Sequence, residues 1–270
     1  MADYRIGIFQ MKVTDRKPEN LEKALGGIEE AAKRGCRLVV LPEMFLCPYE
    51  HKYFKEFAEF ENDSYVLQKI KECAKLNSIN VVAGSFPEKE DDKIYNTSYT
   101  VSETGSIINK YRKTHLFDVL IKDKITFIES DTLSPGDSIN TFDTEIGRMG
   151  VGICYDIRFP ELFKKLSLGG AEILVVPGAF NTITGPAHWR LLARSRAIDN
   201  QCFILMASPA LNRDSSYHAY GHSLVCDPWG TILCEAGHNE ELIDTKISLD
   251  YLKTVRAELP LLKHRRDDLY

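Results

Sequence analysis

Four residues of this 270-residue chain have types and surroundings that could carry chemistry. Cys154 stands in Val151-Gly-Ile-Cys-Tyr-Asp-Ile-Arg-Phe-Pro-Glu161, where a strand-like run gives way to a helix opening near Pro160. A thiol presented at such a turn can act as a nucleophile, and nearby backbone N–H groups can face a developing oxyanion. A buried structural cysteine fits the same local sequence. Glu43 follows the apolar run 38–41 and Pro42. The C-terminal end of a buried strand is where open α/β sheets gather ligands, although a solvated loop glutamate would look the same. Lys113, in Lys110-Tyr-Arg-Lys-Thr-His-Leu-Phe117, and Glu129, in Thr126-Phe-Ile-Glu-Ser130, are ordinary surface charges unless the fold gathers them.

Other candidates are weaker. His218 and His222 are four apart, but Gly221 and the following strand argue against the helix that would make this spacing useful to a metal. Trp189, Leu192 and Ala193 are spaced like the buried stripe of a helix. The seven cysteines are scattered, with no Cys-x-x-Cys pair, so six of them read as small buried hydrophobes of a protein kept in a reducing compartment.

The elements that must position these residues come in two sets. Short apolar runs at 5–10, 38–41, 80–83, 149–153, 173–176 and 203–207 read as strands. Amphipathic stretches at 18–34, 64–76, 160–168 and 186–200 read as helices, three of them with Pro in the first turn. Segment 35–45 aligns without gaps on 170–180, 81–85 on 204–208, and 98–108 on 223–233. The last pair predicts a hairpin with Gly105 and Gly230 at its turn. Each half is then strand, helix, strand, helix, strand, hairpin.

Runs such as Arg37-Leu-Val-Val-Leu41 are apolar on both faces, so each sheet must be covered on both sides. Two sheets stacked face to face with helices outside satisfy this, giving a four-layer α-β-β-α sandwich with pseudo-twofold halves in one domain, 1–270. Two similar units of a single Rossmann-like sheet are the alternative.

With these elements in place, the chain resembles the nitrilase superfamily of carbon–nitrogen hydrolases. The resemblance rests on Leu41-Pro-Glu43, Tyr111-Arg-Lys113, Phe127-Ile-Glu129 followed by Leu133-Ser-Pro-Gly136, and Gly152-Ile-Cys-Tyr-Asp156, and it extends to Asp267-Asp-Leu-Tyr270. It implies the same α-β-β-α sandwich and a Glu–Lys–Cys catalytic set at Glu43, Lys113 and Cys154. Glu129 is implied as an accessory acid that positions Lys113 or the substrate. Glu43 would take the thiol proton and return one to the leaving ammonia. Lys113 and the backbone N–H of Tyr155 would hold the oxyanion. Asp156, Arg158 and Glu161 resemble the family's supporting charges around the nucleophile. No metal or other cofactor is implied.

Several stretches resemble the omega-amidase branch, which deamidates dicarboxylate monoamides such as alpha-ketoglutaramate: 43–49, 116–118, 177–181 and 184–189. Lys122-Asp123 departs from it, standing where the branch usually has Pro-Gly. A short substrate with a distal carboxylate would be held by Tyr49 and by free N–H groups at the helix opening near Thr184, with Phe117 and Phe180 as walls. The alternatives are an amidase for N-carbamoyl or deaminated-glutathione substrates, a true nitrilase, and a non-catalytic interaction protein.

Composition agrees with a globular enzyme of small molecules. A length of 270 residues allows about 75 % of the unfolded surface to be buried. A net charge of −5 excludes a basic nucleic-acid footprint. No run approaches a membrane span, and no basic region followed by an apolar stretch marks a signal peptide. A cytoplasmic homodimer, or a higher homo-oligomer, acting on a small-molecule amide is the expectation.

Overall fold

The computed structural model describes residues 3–122 and 125–269. In the first half, Asp3–Gln10, Leu38–Val40 and Asn80–Glu90 run parallel, and Lys93–Val101 and Ile107–Arg112 continue the sheet antiparallel. The second half repeats this with Gly147–Val151, Ile173–Pro177 and Phe203–Ala207 parallel, then Leu224–Cys226 and Ile232–Glu235 antiparallel. Helices Lys17–Lys33 and Tyr65–Asn77 cross between the first set of strands, and Pro160–Leu168 and Gly185–Asn200 between the second. The expected strand and helix positions are all occupied, with ends that move by a few residues. The largest change is at 80–83, which runs on to Glu90 through a bulge between Ala83 and Phe86.

Side-chain alternation shows how the layers stack. In the first sheet Ile6, Ile8, Leu38, Val40 and Val82 join one core with the strands and helices of the second half. Their neighbours Val39, Leu41, Val81 and Ala83 belong to a separate core with helices Lys17–Lys33 and Tyr65–Asn77. One face of the first sheet therefore meets the other half and the opposite face meets its own helices. The fold is the four-layer α-β-β-α sandwich.

The duplication reaches the backbone. Gly35 and Gly170 sit at φ +79° and +92°, and Gly105 and Gly230 at +81° and +90°. Ser78 and Gln201, which end the second helix of each half, sit at +49° and +48°.

Several elements among the described residues lie outside the expected set. They include the helices His51–Phe57 and Leu249–Glu258, the small hairpin of Asp118–Ile121 with Ile125–Ile128, and the strand Glu241–Ser248. That strand pairs antiparallel with Asp3–Gln10 along its whole length, closing the first sheet from the far end of the chain. The equivalent edge of the second sheet is filled locally by Thr141–Thr144. Of the Lys122-Asp123 departure, Lys122 directly follows the strand Asp118–Ile121, and Asp123 lies outside the described residues.

Candidate functional site

The four candidate residues meet at the ends of different strands. Glu43 follows Leu38–Val40, Lys113 follows Ile107–Arg112, Cys154 follows Gly147–Val151, and Glu129 follows the small hairpin. The loop bearing Glu43 is fixed by the bulge in Asn80–Glu90. Ser85 N donates to the Pro42 carbonyl, Met44 N to Ser85 Oγ and Phe45 N to the Ser85 carbonyl. Gly84 makes this approach possible, because a Cβ there would lie 2.0 Å from Pro42 O. In the duplicated frame Glu43 corresponds to Gly178, where an added Cβ would press on Cys154 Cα at 3.1 Å. One half thus supplies the carboxylate and the other leaves room for the thiol.

Cys154 opens the 3-10 turn Cys154–Arg158 in the left-handed region, at φ +49°. That conformation is uncommon for a residue with a side chain, and such local strain clusters at functional sites. The fully buried Asp156 locks the turn. It accepts from Ile153 N at 2.8 Å and Tyr111 Oη at 2.7 Å, and from His115 N at 3.0 Å. The turn carrying Cys154 is thereby tied to the segment carrying Lys113, as the supporting role expected of Asp156 requires.

Glu43, Lys113 and Glu129 are fully buried. Lys113 Nζ donates to Glu43 Oε1 at 3.1 Å, to Glu129 Oε2 at 2.8 Å and to Tyr49 Oη at 3.1 Å. Tyr49 Oη donates in turn to Glu129 Oε1 at 2.8 Å, and Phe117 N donates to Glu129 Oε2 at 2.6 Å. Glu43 also accepts from Asn96 Nδ2 at 2.9 Å and from Ala179 N at 2.7 Å, and the Cys154 thiol is close enough to act on its ionisation. Burial pushes the Glu43 carboxyl above its ordinary 4.5, against the pull of the Lys113 ammonium. Burial, reinforced by Glu43, holds the thiol of Cys154 well above 9.0. Burial acts against the charge on Lys113, but the carboxylates of Glu129 and Glu43 overcome it and keep the ammonium protonated. The resting arrangement is a neutral thiol beside a carboxylate of raised basicity, with an ammonium fixed a few ångströms away. Such a set can move the thiol proton to the carboxylate and present a cation to a developing oxyanion.

Beyond Cys154 lies a tight cavity of about 10 Å³ whose walls include Tyr155, Arg158, Phe117, Phe180 and Thr184. All four pocket positions expected at Tyr49, Phe117, Phe180 and Thr184 line it. A wider mouth of about 340 Å³ adjoins it, bounded by Phe127, Ile183 and His218 and sharing Tyr49, Asn181 and Tyr217. The helix opening differs from expectation in one respect: Ile183 N and Thr184 N already donate to Asn181 Oδ1, at 3.0 and 2.9 Å. The cationic group facing this cavity is Arg158, whose guanidinium lies 4.6 Å from the centre of the Phe180 ring. Its place four residues after Cys154 on one turn was the signal for it. Tyr217, in a polar turn-rich segment, and Asn96, in an alternating strand, gave none. Away from this centre, His222 pairs with Glu235 at 3.0 Å. Among the described residues no group of three or more His, Cys, Asp or Glu side chains is arranged to hold a metal ion.

This geometry has close relatives. The chain is 48 % identical to omega-amidase NIT2 of Bos taurus, over 100 % of this chain and 98 % of the relative. The crystal structure of Saccharomyces cerevisiae Nit3, a member of branch 10 of the nitrilase superfamily, superposes with a TM-score of 0.90 at 43 % identity, covering 98 % of this chain and 97 % of that one. The C. elegans NitFhit protein gives 0.93 at 34 % identity, covering 100 % of this chain and 66 % of that one. The profile of the carbon–nitrogen hydrolases matches residues 5–257, from the first strand to the last helix. Strand order, duplicated halves and matched length all lead to one assignment: this chain belongs to the carbon–nitrogen hydrolase family.

Proposed function

We propose that the chain is an amidase that hydrolyses a short dicarboxylate monoamide, of the alpha-ketoglutaramate type, to the acid and ammonia. The observation that carries this reading is the buried Glu43–Lys113–Glu129 cluster beside Cys154, with Arg158 lining the cavity beyond. The full-length identity to an omega-amidase supports the substrate class.

In this mechanism Cys154 Sγ attacks the amide carbon while Glu43 takes the thiol proton. Lys113 Nζ and Tyr155 N–H hold the oxyanion. Glu43 delivers the proton to nitrogen, ammonia leaves, and a thioester remains on Cys154. Water activated by Glu43 then releases the acid. Glu129 and Tyr49 keep the ammonium of Lys113 in place. Arg158 pairs with the distal carboxylate, while Phe117 and Phe180 enclose the aliphatic part. The whole of 1–270 works as a single domain. We place it in the cytoplasm, to which its seven free cysteines are suited, and we take it to pair as a homodimer.

The test compares kcat/KM for alpha-ketoglutaramate with that for a neutral amide of equal length. A site that reads a polar group rejects an analogue lacking it by roughly 10⁴-fold. Equal values, or preference for the neutral amide, would remove the dicarboxylate assignment. Ammonia release from an N-carbamoyl substrate or from a nitrile would redirect it to those alternatives.

A further inference from the structure

Behind Glu43 lies a second cavity, separate from the one in front of Cys154. Its volume is about 30 Å³, and its walls include Glu43, Cys47, Val13, Ala210 and Ala219. A buried water needs about 10–15 Å³, so there is room for a molecule of one heavy atom and none for an acyl chain. The two cavities share Tyr49, Ala179 and Tyr217 as a partition. In that partition the rings of Tyr49 and Tyr217 stand 4.9 Å apart, and Tyr217 Oη donates to the Ala179 carbonyl. On its far side the rear cavity shares Pro48, Asn212 and Ser215 with an open surface cleft of about 470 Å³. That cleft borders the mouth only at Glu50 and Ser216, whose side chains are hydrogen-bonded to each other, and meets the rear cavity at three other residues.

We propose that this rear chamber is the binding site and passage for the small neutral molecule of each half-reaction, ammonia leaving in the first and water entering in the second. The inference rests on the amidase reading. In acylation the Sγ–C bond forms, the C–N bond breaks, and the thiol proton passes through Glu43 to nitrogen, giving NH₃. In deacylation the water O–C bond forms, the S–C bond breaks, and a water proton returns through Glu43 to sulfur. Both small molecules are handled at Glu43. The acyl group meanwhile stands on the other side of the partition, between Cys154 and the mouth, where the front cavity must widen to take it. The rear chamber touches Glu43 and leads toward the surface past Pro48, Asn212 and Ser215, without passing through the front cavity.

The experiment narrows the chamber without touching the catalytic groups. Ala210→Val and Ala210→Leu are assayed for ammonia release, and quenched steady-state samples are weighed intact for acylated protein. Melting temperatures report folding. The expected result is a graded loss of kcat, about tenfold for leucine and less for valine, with KM falling alongside and the Cys154 thioester accumulating. Adding Val13→Ala to Ala210→Leu restores space on another wall and recovers most of the rate. A mouth variant, Ile183→Trp, raises KM without accumulating thioester.

Wild-type kcat in a folded Ala210→Leu protein would overturn the proposal. So would a loss of kcat with no thioester, or no recovery on adding Val13→Ala. Should leucine unfold the protein, valine and Ala219→Val give the same comparison. Failure of the wild type to release ammonia from any amide would overturn the amidase reading and the chamber with it. An active wild type with indifferent chamber variants would overturn the chamber alone.

Discussion

Two carboxylates and one ammonium share a space from which the surface is absent, so the cluster's stability depends on keeping all three. Removing one partner of a buried ion pair leaves an uncompensated charge, at a cost of about 3–5 kcal/mol. Lys113→Ala should therefore lower the unfolding free energy by about that much and end ammonia release. Cys154→Ala removes a neutral thiol and should end turnover while changing stability by no more than about 1–2 kcal/mol. Urea unfolding beside an ammonia assay checks both, and a stable Lys113→Ala protein would contradict the cluster described here. The same burial sets the pH profile. Turnover needs Glu43 ionised, and its pKa is raised, so kcat/KM should fall with decreasing pH on a limb lying above the ordinary 4.5. No alkaline limb from Cys154 is expected below pH 9, because that thiol is raised well above 9.0. An acid limb at or below 4.5 would show that burial does not govern Glu43. At this scale the sequence disclosed Glu43, Lys113, Glu129 and Cys154 through short motifs at strand ends. It did not disclose Arg158 as a pocket wall, or Tyr217 and Asn96 at all. What those residues touch is set by loops and sheets that meet only in the folded chain.

Among the elements, the bulge in Asn80–Glu90 has the greatest leverage on the site, since it holds the loop that aims Glu43. Gly84→Ala would place a methyl group 2.0 Å from the Pro42 carbonyl, where only backbone movement can relieve it. Overpacking costs about 1–3 kcal/mol and more when the obstacle is backbone, so a loss of about 3 kcal/mol or more is expected. Activity should fall along with stability, because the displaced segment is the one bearing Glu43. Thermal melts and kcat at a temperature where the variant is folded separate the two, and an unchanged melting temperature would mean that the bulge yields freely. Most elements were legible because each is a local pattern: continuous apolar runs for the strands, Pro-opened amphipathic stretches for the helices, and matched segments for the halves. The strand Glu241–Ser248 was not. Its burial is partial along most of its length and its partner lies more than 230 residues away, so no local period reports it. The small hairpin escaped for a related reason, pairing only with itself.

At the scale of the whole molecule, the outer face of helix Gly185–Asn200 exposes Leu191 and Ile198, seven residues apart and so on one side. Trp229 is exposed on the hairpin turn that rests on this helix, where Arg194 Nε donates to the Gly230 carbonyl. These apolar side chains are the surface through which we expect the homodimer to form. Sedimentation should give a species of twice 30.7 kDa at micromolar concentration, and Ile198→Glu combined with Trp229→Glu should give the monomer. A wild-type monomer would remove this assembly. The closing of the first sheet has a further consequence, one of timing. Asp3–Gln10 is made more than 230 residues before its partner Glu241–Ser248. At about 5–20 residues per second, the emerging chain carries an unpaired strand edge for roughly 10–50 s before anything of its own can cover it. The sandwich is therefore most vulnerable at birth, and any product that terminates before residue 241 keeps that edge open for good.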